Sequence, residues 1–178
     1  MVSNRIRSSD MGGEILIMVI AACDPGVSGA VAILDDGQLI AVYDMPVRAV
    51  PYKKKTRNVV DGKALYEIFN THAPNLIVIE TVTALAGNGV TGMFNFGYSA
   101  GVIYGCASAF WEGTEIQFLR PQVWKKAMGL LNTSKDDARL KCLEIFASHA
   151  DWFNLKKHSG RSDASLIALV AYLGNEKE

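Results

Sequence analysis

An unbroken apolar run from Ile15 to Cys23 ends abruptly at Asp24-Pro25-Gly26. The run does not alternate, so it reads as a strand buried on both faces, the kind found in sheets covered by helices on either side. It is far shorter than the ~20 residues a membrane helix needs, so no membrane partner is expected. Such a strand needs layers above and below it. A chain of 178 residues, 49% hydrophobic and 20% charged, can supply them around a single core. Residues 1–14 carry Arg5, Arg7, Asp10 and Glu14 and read as a flexible leader or upstream start, with Met11 or Met18 as alternative starts. Residues 15–178 then form one domain.

The rest of the chain divides by its punctuation. Gly29 to Leu34 reads as a second strand, Asp35-Asp36-Gly37 as a hairpin turn and Gln38 to Asp44 as a third strand, giving an antiparallel meander. The basic stretch around Lys53, Lys54, Lys55 and Arg57 has no periodicity and reads as a loop. Asp61 is placed to cap a helix running to about Asn70. Leu76 to Ile79 is a short buried strand closed by Glu80. Thr81 to Thr91 is a Gly-rich loop, and Gly92 to Trp111 has helical spacing, with Gly97, Gly101 and Gly105 forming one smooth face. Glu115 to Leu119 is a fifth strand, and Pro121 suits a helix start. Ser134 is placed to cap a helix opened by Asp136 and Asp137. A last helix begins near Arg161 or Ser162 and runs to about Leu173, with Gly174 as its stop. A meander followed by alternating helices and parallel strands is an α/β layered domain with a mixed five-stranded sheet.

Lys and Arg total 18, as do Asp and Glu. This balance argues against nucleic-acid binding through bulk positive charge, but leaves room for local basic strips. The three cysteines, Cys23, Cys106 and Cys142, are widely spaced, which argues against a disulfide framework or zinc knuckle and points to a reducing setting, cytoplasmic or, as the alternative, organellar.

Three carboxylates fall where strands end or a helix begins: Asp24, Glu80 and, in the first turn of the last helix, Asp163. His158 stands just before that helix. Each alone is an ordinary structural residue, a turn former, a strand terminus or a helix-dipole partner. Together they could meet beyond the strand ends, where open α/β sheets gather ligands. Hard oxygen donors of this kind suit magnesium or manganese. Two such ions ~4 Å apart can activate water and stabilise the leaving oxygen of a phosphodiester.

The strings CDPGVSGAVAILDDG, LIVIE, GVTGMFNFGYSAGVIYG, FLRPQVWKKAMGL, SKDDAR and HSGRSDASLIALVAYLG, in this order, resemble the RuvC-type Holliday junction resolvases, nearest the phage and organellar branch. The resemblance covers nearly all of the chain after the leader. It implies an RNase H-like fold, a homodimer and a divalent-metal nuclease, with magnesium or manganese as the cofactor, that cuts four-way DNA junctions to leave 5′-phosphate and 3′-hydroxyl ends. Asp24 matches the first-strand aspartate, Glu80 the glutamate closing the fourth strand and Asp163 the final-helix aspartate. The remaining position falls near His158, where relatives carry aspartate or histidine. The gap from His158 to Asp163 is longer than in the bacterial enzymes, with Gly160 at the nearer position. His158 is thus a metal ligand, a water-orienting group or a proton donor.

A DNA substrate calls for basic strips near the carboxylates. Lys53, Lys54, Lys55 and Arg57 form one candidate, Lys125, Lys126 and Lys135 a second, and Lys156, Lys157 and Arg161 a third. Phe94 and Phe96 are candidates to stack on unpaired bases at the junction centre, while Trp124 reads as packing. The glycine face packs within the fold or across a dimer. Three other readings stay open. DPGVSGA also suits the phosphate hairpin of an actin-like ATPase or sugar kinase, although those proteins duplicate the domain, and no nucleotide cofactor is expected here. A non-catalytic junction or RNA-binding module and an RNA-directed nuclease of the same fold are the others.

Overall fold

The computed structural model describes residues 6–8, 14–16, 18–81, 89–110, 113–134 and 136–175, the first two segments as backbone only. Strands β1 (Ile6–Ser8) and β2 (Glu14–Leu16) pair antiparallel. The buried strand β3 spans Val19–Asp24, so the apolar run from Ile15 is shared between two strands rather than forming one. The reason is the partner, not the composition. Val19 pairs with Asp35, the last residue of β4 (Ala30–Asp35), and beyond it the neighbouring chain turns away. Asp36 and Gly37, both at positive φ, make that turn into β5 (Gln38–Asp44).

The basic stretch expected as a loop is a hairpin of β6 (Val47–Tyr52) and β7 (Lys55–Val60), with Lys53 in the left-handed region at its tip. Alternation marks a strand only where one face is buried. This ribbon is exposed over most of its length, and only Val59 and Val60 at its base reach the core.

Asp61 caps α1 (Gly62–His72), accepting hydrogen bonds from the Lys63 and Ala64 N–H groups. Then follow β8 (Leu76–Glu80), α2 (Val90–Ser108), β9 (Glu115–Leu119) and α3 (Pro121–Ala127), with Pro121 in the first turn. Helix α2 takes in Val90 and Thr91, which the sequence assigned to the preceding loop; residues 82–88 of that loop and Trp111 lie outside the described residues. In α4 (Asp137–Ile145) the expected capping direction is reversed. Asp136 holds the N-cap position, and the Asp137 carboxylate accepts from the Ser134 N–H at 2.7 Å. After two 3-10 segments, Ala147–Trp152 and Lys156–His158, helix α5 spans Ser159–Asn175. It starts before Arg161 because the second 3-10 segment feeds straight into it, and it runs through Gly174.

The main sheet has the order β5-β4-β3-β8-β9, with β3, β8 and β9 parallel and β4 and β5 antiparallel to their neighbours. Alternation sorts its central strands between two cores. Ile20, Ala22, Leu76 and Val78 face α3, α4 and α5, with Trp124, Phe146, Phe153 and Leu166. Ala21, Cys23, Ile77 and Ile79 face α1, α2 and the ribbon base, with Leu65, Phe69, Ile103 and Val60. No helix among the described residues is long and apolar enough to cross a membrane.

Candidate active site

The two-residue period that carries Ile20 and Ala22 into the α5 side of the core places Asp24 at the end of the same row. Leu76 and Val78 lead in the same way to Glu80. Since Cys23 pairs with Ile79 in the parallel register, Asp24 and Glu80 end adjacent strands side by side. The turn beyond Asp24 is tight. The Gly29 N–H donates to the Gly26 carbonyl at 3.1 Å, and a Cβ on Gly29 would collide with the Asp24 carbonyl.

Asp163 is the fifth residue of α5, so it is not the first-turn residue the sequence suggested. A dipole-capping role is therefore not its explanation. What brings it to the site is Gly160. A Cβ there would lie 2.6 Å from the Ser28 carbonyl oxygen and 2.9 Å from the Gly29 Cα, so α5 rests directly on the turn after Asp24.

Electrostatics records the convergence. Burial, followed by the charges of Asp163 and Glu80, pushes the Asp24 carboxyl well above the usual aspartate range, and Lys125 pulls it back. Burial also raises Glu80, opposed by a hydrogen bond from the Trp124 indole and by Lys125. The Trp124 Nε1–H donates to Glu80 Oε1 at 2.8 Å, and the Lys125 Nζ stands 5.2 Å from the same indole ring. Lys125 therefore belongs with the carboxylates, whereas its neighbour Lys126 is exposed. A cleft of about 210 Å³ opens beside Asp163, lined by Lys125, Thr133, Ser134 and Ser159 among others.

Among the described residues, no group of three His, Cys, Asp or Glu side chains is already closed to metal-binding distance. The donors themselves suit a hard divalent cation: the carboxylates are hard-oxygen donors, and Asp24 carries a repulsion with Asp163 and Glu80 that a cation would relieve.

The other candidates separate. His158 is 7% exposed, its Nδ1 is buried without a hydrogen-bond partner, and burial lowers its pKa. The charges acting on it are those of Arg161, Lys157, Asp44 and Arg139; none of the three carboxylates is among them. Arg161 is committed elsewhere. Its guanidinium grips Asp44 through two bonds, Nε to Oδ1 at 2.6 Å and Nη2 to Oδ2 at 2.8 Å. Lys156 and Lys157 are exposed, as are Lys53, Lys54 and Lys55 on the ribbon. Lys135 lies outside the described residues. Phe94 is 64% exposed, whereas Phe96 is half-buried, its ring about 3.5 Å from where a Gly26 Cβ would stand.

Sequence reasoning missed the bond from Trp124 to Glu80. The available signal was that a buried indole N–H almost always finds an acceptor.

No protein-family model matches the chain, and no curated protein matches it by sequence. Solved structures do. Thermus thermophilus RuvC in complex with Holliday junction substrate is similar at 18% identity and a TM-score of 0.53, over 90% of this chain and 96% of that one. The T. thermophilus RuvC structure is similar at 16% and 0.53, over 90% and 97%. The yeast mitochondrial Holliday junction resolvase Ydc2 is similar at 11% and 0.50, over 90% and 80%. With the five-stranded mixed sheet and its flanking helices, these likenesses show that the chain has the RNase H-like fold of the RuvC-type Holliday junction resolvases.

Proposed function

We propose that the chain is a divalent-metal endonuclease that resolves four-way DNA junctions. The observation that carries this reading is the carboxylate cluster, in which Asp163 and Glu80 load negative charge onto a buried Asp24 at the end of the sheet. Like charges that converge on a buried carboxylate are a mark of functional sites. The fold of RuvC, in a structure that holds a Holliday junction, supports the choice of substrate.

In this reading Asp24, Glu80 and Asp163 hold magnesium or manganese. Cations bound there lower the pKa of water and offset phosphate charge during hydrolysis. The chain's own contributions are distinct. The Trp124 indole fixes one oxygen of Glu80 and so orients the other. Lys125, near Asp24 and Glu80 and lining the cleft beside Asp163, offers a cation to the scissile phosphate. His158, whose charged neighbours are Arg161, Lys157, Asp44 and Arg139 rather than the three carboxylates, stays outside the ligand set.

Paired cuts need two sites related by a two-fold axis. The outer face of α2 provides the surface for a second copy. Cβ atoms at Gly97, Gly101 and Gly105 would meet nothing within 4 Å, and Tyr98 and Tyr104 are exposed beside them. Tyr104 also contacts the exposed Phe118 of edge strand β9, widening the apolar patch. Gly101→Trp would then yield a folded monomer in light scattering.

The test is an immobile four-way junction beside a linear duplex of the same sequence, with wild type and Asp24→Asn, in magnesium and in chelator. Symmetric nicks in the junction alone, lost with the variant or the chelator, are expected. Tight junction binding without cleavage in magnesium or manganese would replace the nuclease with a binding module. Neither binding nor cleavage would overturn the reading.

A further inference from the structure

Between Val47 and Val60 the chain carries Arg48, Lys53, Lys54, Lys55 and Arg57 and no carboxylate, in a protein of zero formal net charge. Among the described residues, no ion pair includes any of the five. The β6–β7 ribbon that bears them is anchored by Val59 and Val60 and exposed over most of its length. Two-stranded ribbons are barely stable alone, so this one needs a fastening. Six residues per strand give it a reach of roughly 20 Å, and a two-stranded ribbon is a shape the DNA major groove admits.

Arg57 differs from the lysines. Its Nη1 donates to Asn95 Oδ1 on α2 at 2.9 Å, its guanidinium lies 4.8 Å from the Tyr52 ring centre, and its Nε is buried. The group is turned inward. Asn95 lies between Phe94, which is open to solvent, and Phe96, which packs by Gly26 in the turn after Asp24. Arg57 therefore joins the ribbon to the part of α2 whose Phe96 packs by the turn after Asp24.

We propose that the β6–β7 ribbon is an arm that grips one duplex arm of the DNA substrate, with Lys53, Lys54 and Lys55 on phosphates, and that Arg57 is a positioning residue tying it to α2 through Asn95. This rests on the DNA-junction reading, and the test separates the two. Junction binding is measured as a function of salt for wild type, the triple variant Lys53→Ala, Lys54→Ala, Lys55→Ala, and Arg57→Ala, Asn95→Ala and their combination, with thermal midpoints alongside.

The triple variant should bind about ten-fold or more weakly, with a salt slope shallower by ~2–3. Arg57→Ala and Asn95→Ala should weaken binding by equal factors that do not multiply in the double variant, with the wild-type salt slope and melting. A triple variant with wild-type affinity and slope overturns the arm. An Arg57→Ala slope shallower by ~1 with Asn95→Ala unaffected makes Arg57 a phosphate ligand and overturns the strut, as does the absence of any effect from either. Wild type that binds no junction would overturn the functional reading itself.

Discussion

Helices α5 and α2 cover opposite faces of the same sheet and differ sharply in how finished they are. Eight of the seventeen residues of α5 are buried, and Gly160 brings its first turn into contact with the backbone at Ser28 and Gly29. Only Ser99, Ile103 and Ala107 are buried among the nineteen residues of α2, and Cβ atoms at Gly97, Gly101 and Gly105 would stand in open space. Glycine thus has two uses here. In α5 it lets a helix touch a turn and so sets the distance from Asp163 to Asp24. In α2 it leaves a flat apolar face that nothing among the described residues covers. A site-bearing helix must be held rigidly, because small displacements of a catalytic group are costly.

Gly160→Ala should have the largest effect. Its Cβ meets backbone that cannot swing aside, so a loss of about 3 kcal/mol is expected in urea unfolding, with cleavage lost in the same variant. Unchanged stability would mean that α5 sits more loosely than its contacts imply.

The Asp24 carboxyl comes next. Its folded pKa is raised, so its favourable contribution is present below the unfolded value and fades as pH rises through the folded one. In chelator, wild type should lose thermal stability from about pH 4 upward. Asp24→Asn should escape that loss and melt higher than wild type at neutral and alkaline pH. Magnesium should raise the wild-type midpoint, more at higher pH, and leave the variant little changed. Identical pH profiles would separate Asp24 from the other carboxylates.

Trp124→Phe, on the α5 side, removes the hydrogen bond to Glu80 and should cost about 1–2 kcal/mol. Cleavage should slow with junction affinity retained. A change in stability alone would reduce the indole to packing.

The smallest effect belongs to α2. Gly101→Ala should hold or raise the stability of the folded monomer by at most about 1 kcal/mol, because alanine favours helix and no described residue of the same chain obstructs it. A loss like that of Gly160→Ala would erase the contrast between the helices.

Much of this was legible. The ends of β8 and β9, the Asp61 cap and Pro121 at the start of α3 follow from local chemistry, and the structure reproduces them. Asp24 and Glu80 could be placed because strand ends are marked by punctuation. The ribbon was not legible, because strands exposed on both faces leave no alternation. Neither was the reach of α5, because a 3-10 segment precedes it without a break in polarity. Arg161 looked like any surface cation, and only Asp44, 117 residues away, shows that it is taken.

The sequence by itself determined the apolar strand that stops at Asp24, the order of the five main-sheet strands and the residue types at their ends, since these depend on neighbours within a few positions. The tertiary structure decided which of the charged residues meet. It gathered Lys125 and Trp124 to the carboxylates, paired Arg161 with Asp44 and tied Arg57 to Asn95. The physical reason is range: a cap or a turn is an interaction along the chain, whereas a charge acquires its partner, and with it its pKa and its role, only when distant segments are packed together.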